Sequence, residues 1–538
     1  MDAATAPGEP HRPASRDAWR VDIRHLALAM LAAGAVAAAV RQDASWDLKN
    51  YHFYNAWAFV HGRMGVDVAA AQLQTYLNPL GDLPYYAMVA ADWPPRAIAF
   101  VMALPAGAGA YFLVRVLFLL FDGLDARARR NYVVFAALIG LTGANAVTML
   151  GSTMNEWPGA ALTMVALWLA LQRLASRTAA LAPVAAAGLC AGLASGLKLT
   201  AATFAVGLAA ALCMRRPFLR RGAPDAFVFG LAVLAGVAVT AAFWMRELDA
   251  RFASPVFPFF NQWFRSPWWD ARPVLAATYG PHTALEWIFF PLLLFGKTAG
   301  VVATSGFRDW RLPLLFVAAV AAAAVVAARR TAGARGAALP GDGASWRFVA
   351  VFWLVSYCTW LAVHGLYRYF LPLELLSGAL LLACLRVALP PRWRNAGIVV
   401  VTIVVIASVR YPYVERVDYG AHAIAVTVPP VASNAAVLLV DDEPMAHVLP
   451  FFPADARFVG IRNNLIDPAM TNRLAADIAA IVRTHGGPLY ALASPPGSGE
   501  AALAAHRLRR TAGGCAAVLS NLTRRPLELC RLERTGAP

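Results

Sequence analysis

Residues 25–63, HLALAMLAAGAVAAAVRQDASWDLKNYHFYNAWAFVHGR, join two chemistries at one point. From His25 to Val40 the stretch is apolar and rich in helix formers, as a bilayer-crossing helix is. From Arg41 onward it packs Asp43, Asp47, Lys49, His52 and a run of aromatics into the place where such a helix meets water. The polar leader HRPASRDAWR precedes it, which puts the N-terminus inside and the titratable stretch outside. A cleaved signal peptide is the competing reading, because AVAAAV resembles a cleavage region. The leader is long for one, and that favours an uncleaved helix.

The composition extends this reading to the whole chain. Of 538 residues, 59% are hydrophobic and 14% charged, with a mean hydropathy of +0.54, so the chain falls in the membrane class. A formal charge of +16 would suit a nucleic-acid binder. The basic residues instead lie in short clusters between apolar runs, as topology signals do, so no nucleic-acid partner is expected. Lys49, Lys198 and Lys297 are the three lysines among 47 basic residues, leaving 44 arginines.

Eleven spans are expected: residues 25–40, then about 97–121, 132–150, 158–172, 180–196, 199–214, 226–243, 312–328, 348–363, 370–386 and 396–409. The arginine-rich loops DGLDARARR, QRLASR, RRPFLRR, RRTAGAR and RVALPPRWR then all fall inside. Outside lie residues 41–96, GSTMNEWPG, SGLKLT, residues 244–310 and HGLYRYF. Trp287 to Val302 reads either as a half-inserted outer helix or as a twelfth span, and a full span would invert everything after it.

The expected fold is therefore an all-α polytopic membrane protein with a small C-terminal α/β domain outside the cell's inner membrane. Residues 1–24 form a cytoplasmic leader, 25–410 the membrane domain and 411–538 the extracytoplasmic part. From Asn434 the last part measures about 105 residues, within the single-domain range. AAVLLV, ARFVGI, PLYALA and CAAVL read as strands, NRLAADIAAIVRTH and EAALAAHRLRR as helices. VLLVDDEPM is similar to the start of a receiver domain, but no lysine follows Lys297, as that family requires. Asp441, Asp442 and Glu443 read as a solvated strand-end loop. Cys515 and Cys530 have a spacing that a disulfide closes in an oxidising compartment, and free thiols fit as well.

Ionisable residues near spans tend to be functional, because a charge at the bilayer centre costs about 2.5 kcal/mol or more. They collect on the expected outer face: Asp43, Asp47, Lys49 and His52, then Glu156, Lys198, His364 and Arg368. Asp43 and Asp47 share a face if helical, with Tyr51 and Tyr54 following on. An acid beside aromatics suits holding a sugar and removing a hydroxyl proton. Capping the next helix is the plainer role for Asp47, and a helix-end role for Glu156. Lys198 and Arg368 read either as snorkelling side chains or as an anion site, the guanidinium fork matching a phosphate. The aromatic stretch ASPVFPFFNQWFRSPWW, 253–269, fits a surface-lying segment or a lid.

Four stretches, WDLKNYHFYNAWAF, GLKLTAATF, SPVFPFFNQWFRSP and GLYRYFLPLELL, together resemble the GT-C superfamily of membrane glycosyltransferases, most of all its bacterial mannosyltransferase-like branches. The resemblance covers about residues 20 to 410. It implies sugar transfer from a polyprenyl-phosphate carrier to a glycan, lipid or protein hydroxyl, in contact with membrane lipids. By position it makes Asp47 the general base with Asp43 in reserve, and Arg368 and Lys198 the carrier-phosphate ligands. Lys49, Tyr51, His52, Tyr54, Glu156 and Tyr369 would bind substrate. Many members carry paired acids in the first loop, so a divalent cation is an open possibility. A transporter or lipid flippase, and an envelope-polymer ligase or acyltransferase, are the alternative classes.

Overall fold

The computed structural model describes residues 21–175, 180–272, 279–296, 298–332 and 339–536. Most of the expected leader, up to residue 20, lies outside the described residues. From Val21 the chain is mostly helical, with a β-rich domain at its C-terminal end.

Each of the eleven apolar segments contains a helix, but their lengths differ. Among the described residues six are long and apolar enough to cross a membrane: Pro95–Leu120, Glu156–Ala175, Phe218–Phe252, Arg311–Thr331, Gly343–Val363 and Tyr367–Ala388. Ile23–Ala39, Ala126–Leu141, Ala182–Leu197, Ala202–Cys213 and Arg394–Ser408 are 12 to 17 residues long. An untilted crossing takes roughly 20.

Three boundaries depart from the sequence reading, each for a visible reason. The 132–150 run breaks after Leu141, and Ala144–Thr148 forms a separate turn of helix. The buried Glu374 carboxylate draws that turn in, accepting the N–H groups of Asn145 at 3.2 Å and Ala146 at 2.8 Å. The helix expected at 226–243 runs on to Phe252 and ends at Ala253, whose φ is +51°. Its 30 residues span about 45 Å, more than a bilayer core. Within 287–302 the helix Ala284–Leu293 has ten residues and is about 15 Å long, too short to cross.

Close contact between the apolar helices relies on small residues. A Cβ on Gly140 would lie 2.4 Å from the Leu375 carbonyl oxygen, and one on Gly378 2.2 Å from that of Ala136. The two glycines thus let Ala126–Leu141 and Leu371–Ala388 approach backbone to backbone. Gly378→Leu should lower thermal stability in detergent by about 1–3 kcal/mol, read as a fall in the unfolding midpoint. An unchanged midpoint would contradict this packing.

The stretch after the first apolar helix, expected outside, is a folded element. A π-helical turn, Leu48–His52, leads into Phe53–Val60, followed by a strand Ala70–Leu73 and a helix Leu83–Ala90. Single-turn π segments recur at functional sites. Val68 pairs with Val459, so this stretch extends the edge of the C-terminal sheet. Gln42–Asp43 pairs antiparallel with Arg416–Val417.

The C-terminal sheet has six strands in the order Val426–Thr427, Leu508–Ser520, Leu527–Arg534, Leu489–Ala493, Ala436–Leu439, Arg457–Gly460. The last three are mutually parallel and the others antiparallel. Val437 and Leu439 face the turn Ala446–Phe451, whereas Ala436 and Leu438 face the helix Arg473–Thr484. The two crossovers therefore cover opposite faces. EAALAAHRLRR is helical only over Glu500–Ala505, because Leu508, Arg509 and Arg510 pair with Arg534, Glu533 and Leu532. Cys515 faces Cys530 across that pair, and the two form a disulfide. Asp441 is buried rather than solvated: its carboxylate accepts the Glu443 N–H, the Ser494 N–H and the Ser498 hydroxyl.

Candidate functional site

Three helix ends come together. Ala182–Leu197 stops at Lys198, whose extended backbone (φ −146°, ψ 110°) separates it from the turn Leu199–Ala201. Glu156 opens the helix Glu156–Ala175. Arg368 lies in the turn Tyr367–Phe370 that enters Leu371–Ala388. These interruptions point polar groups at one another from distant parts of the sequence.

Asp47 joins them from the π-helical segment. Its side chain makes no capping hydrogen bond, so the cap role does not apply. It accepts hydrogen bonds from Arg368 Nη1 at 2.7 Å and from the Tyr51 hydroxyl at 3.0 Å. Arg368 Nη2 donates to the Tyr369 hydroxyl at 2.8 Å, and its guanidinium carbon lies 4.9 Å from that ring's centre. Lys198 pairs with Glu156, and its ammonium lies 5.4 Å from the same ring. Asp47 and Glu156 are buried, while the Lys198 and Arg368 side chains stay partly open at 18% and 29%. A small cleft opens beside them, lined by Asn155, Glu156, Lys198, Arg368 and Tyr369 together with the apolar Ala160, Ala201, Phe204, Leu371 and Pro372.

Burial would raise the Asp47 carboxyl, but Arg368, then His52 and Lys198, and the Tyr51 hydroxyl hold it below the usual carboxylate value. Asp47 is therefore ionised. Three groups keep unspent hydrogen-bonding capacity: Glu156 Oε2, Arg368 Nε and His52 Nε2 are buried without a partner. Such groups cluster where a ligand supplies the missing bond.

His52 stands beside Asp47 with its Nδ1 2.6 Å from Asp82 Oδ1, and Asn155 holds that oxygen at 2.8 Å. Burial would lower the imidazole value; Asp82, through charge and hydrogen bond, and Asp47 outweigh it and raise it above 6.5. A raised value stabilises the fold fully below the unfolded value of about 6.5, and that contribution is lost as pH rises through the folded value. Thermal stability should thus fall as pH increases upward from about 6.5, at a slope of up to about 1.4 kcal/mol per pH unit. Asp82→Asn should flatten that portion of the curve; an identical slope in the variant would refute the pairing.

The other sequence candidates lie apart. Asp43 accepts the Ser45 N–H and the N–H and hydroxyl of Thr153, each at 2.9 Å, and ties the stretch after the first helix to the turn before Glu156. Lys49 donates to Glu415 at 2.6 Å, and Tyr54 donates to Asp67 at 2.7 Å under the C-terminal sheet. The structure thus brings Asp47, Arg368, Lys198, Tyr51, His52, Glu156 and Tyr369 together and leaves out Asp43, Lys49 and Tyr54. Sequence reading missed Asp82 and Asn155. An acid ahead of a proline-started helix, as in GDLPYY, is indistinguishable from an ordinary helix-end residue.

Asp47 and Glu156 are each paired with a cationic side chain, Arg368 and Lys198. Among the described residues the three-ligand group is Cys515, Glu528 and Cys530, whose thiols are joined in the disulfide. The aromatic stretch 253–269 folds around Asn261, whose amide donates to the carbonyls of Ser266 and Trp269. Its backbone accepts the Arg473 N–H at Pro267, docking it on the C-terminal domain, while Trp263 stays 73% exposed. No protein family, curated protein or solved structure matches this chain.

Proposed function

We propose that this chain is a membrane glycosyltransferase of the GT-C type, moving a sugar from a polyprenyl-phosphate carrier to a hydroxyl acceptor at the extracytoplasmic face. The observation that carries the reading is the ion pair of Asp47 with Arg368, which with Lys198 lines a cleft of mixed polar and apolar side chains. A lipid phosphate needs both kinds of lining: cations for its head and apolar side chains for its tail. In this reading all eleven helices cross the inner membrane, the N-terminus is cytoplasmic and the disulfide-bearing domain is outside, where oxidising conditions sustain it.

The reaction is a single displacement at the anomeric carbon. The acceptor oxygen bonds to that carbon, its proton passes to Asp47, and the carbon–oxygen bond to the phosphate breaks with inversion. Arg368 and Lys198 stabilise the departing phosphate. Arg368 also links the two halves. When its guanidinium turns to the phosphate, Asp47 loses its strongest cationic partner and becomes a better base.

Membranes containing the protein, given labelled polyprenyl-phosphate sugars, should transfer label to a hydroxyl-bearing product. Movement of labelled carrier across vesicles without a new glycosidic bond would assign a flippase instead. Transfer of an acyl or polymer chain would assign the envelope ligase class.

A further inference from the structure

Several arginines of the helical part meet an acid: Arg173 pairs with Asp225, Arg311 with Asp309 and Arg368 with Asp47. Three arginines at one end of the helices do not. Arg329 lies in the last turn of Arg311–Thr331, Arg386 in the last turn of Leu371–Ala388, and Arg394 opens Arg394–Ser408. Leu371–Ala388 packs against both of the other helices and against Ala126–Leu141, which brings the three side chains into one patch.

Arg386 and Arg329 are close enough to repel the charge on Arg394. Among the described residues none of the three has an acidic partner. Arg386 Nη1 donates to the Tyr132 hydroxyl at 3.4 Å, and its Nε is buried without a partner. Arg394 Nε donates to the Leu389 carbonyl at 3.3 Å. All three residues stay partly exposed. Helix ends account for two of them, since a cation in the last turn offsets the negative end of the helix dipole. Arg394 stands at the opposite, positive end. Its first turn holds no acid and has no side-chain cap, so it adds charge where the dipole already disfavours it. One anion with several oxygens satisfies the three like charges together, and the guanidinium fork fits a phosphate.

The surface beside the patch is apolar. Trp393 is exposed next to Arg394, and Val399, Val400 and Ile403 are exposed on the outward face of the helix that Arg394 opens. We propose that the three arginines bind the phosphate of an anionic phospholipid, whose acyl chains lie along this exposed aliphatic face. Basic pockets between membrane helices are recurrent head-group sites. A soluble phosphate would use the arginines but gain nothing from the aliphatic face. The patch is separate from the cleft around Asp47: Arg386 lies roughly 20 Å along the helix that the Arg368 turn enters. The inference therefore stands without the proposed transfer activity.

The full chain, purified in detergent and stripped of lipid, would be titrated with phosphatidylglycerol, phosphatidylcholine and inorganic phosphate. Native mass spectrometry reads retained lipid, and thermal unfolding reads the midpoint. Phosphatidylglycerol should be retained as a discrete complex and raise the midpoint, whereas phosphatidylcholine and inorganic phosphate at matched concentration should not. Arg394→Gln should weaken retention about fivefold, and Arg386→Gln combined with it at least about tenfold. Without lipid the double variant should unfold at or above the parent midpoint, because repulsion is relieved, and this separates lost binding from lost folding. Arg220→Gln with Arg221→Gln removes two exposed arginines from the turn Phe218–Gly222 and should bind as the parent does. Equal retention of the two lipids, an equal shift with inorganic phosphate, unchanged binding by the Arg386 and Arg394 variants, a lower lipid-free midpoint, or an equal loss in the Arg220 and Arg221 variant would each overturn the proposal.

Discussion

Asp47→Asn is expected to cut the proposed sugar transfer by about 10²–10⁴-fold, the range a positioned general base supplies. Asparagine keeps the size of the side chain and an oxygen for Arg368 and Tyr51, so folding should persist. What it removes is the negative charge and the capacity to take a proton. Transfer from labelled polyprenyl-phosphate sugar, measured beside the thermal midpoint of the purified variant, separates the two effects. Arg368→Lys tests the other half. It keeps the charge but loses the fork, and should raise KM for the carrier as well as lower kcat. Near-normal transfer by Asp47→Asn would remove Asp47 as the base and leave His52, whose buried Nε2 has no hydrogen-bond partner, as the group to examine.

Arg311→Met is expected to destabilise the protein by about 3–5 kcal/mol, the cost of leaving buried partner charges unpaired. Arg311 is fully buried. Its Nε donates to Asp309 at 2.6 Å and its Nη1 to the Ile139 carbonyl at 2.5 Å. Asp309 and Glu374 are buried as well and between them accept three backbone N–H groups at Ala144, Asn145 and Ala146. Asn145 in turn donates to the Tyr367 carbonyl at 2.6 Å, which holds the turn carrying Arg368. The variant should lose transfer activity at temperatures where the parent is stable. Adding Asp309→Leu to Arg311→Met should recover much of the loss, because the pair is replaced rather than broken. Thermal unfolding of the singles and the double completes the cycle, and simple additivity would argue against the ion pair.

Much of the architecture was legible because hydrophobic periodicity is local. A run of apolar residues reads as a helix wherever the chain goes, and the helices begin and end near the expected runs. Boundaries failed where a distant group intervened. Glu374 ends the helix near Leu141, and strand pairing with residues 532–534 converts the end of an expected helix into Leu508–Ser520. The stretch after the first apolar helix could be seen as rich in chemistry, but its folding as a π-helical turn and a sheet edge could not, since it depends on Val459 and Arg416.

The same division runs through the site. Residue type and position by themselves determined that this chain carries helices long and apolar enough to cross a membrane and that Asp47, Lys198, Glu156 and Arg368 are its unusual polar residues, because charge and apolarity are properties of each side chain alone. Only the tertiary structure decided which acid meets which cation. Asp47 takes Arg368 across 321 residues while Asp43, four residues earlier, is spent on Thr153. Pairing is a matter of distance in space, and a hydrogen bond of about 3 Å carries no trace in a sequence of how the chain came round to make it.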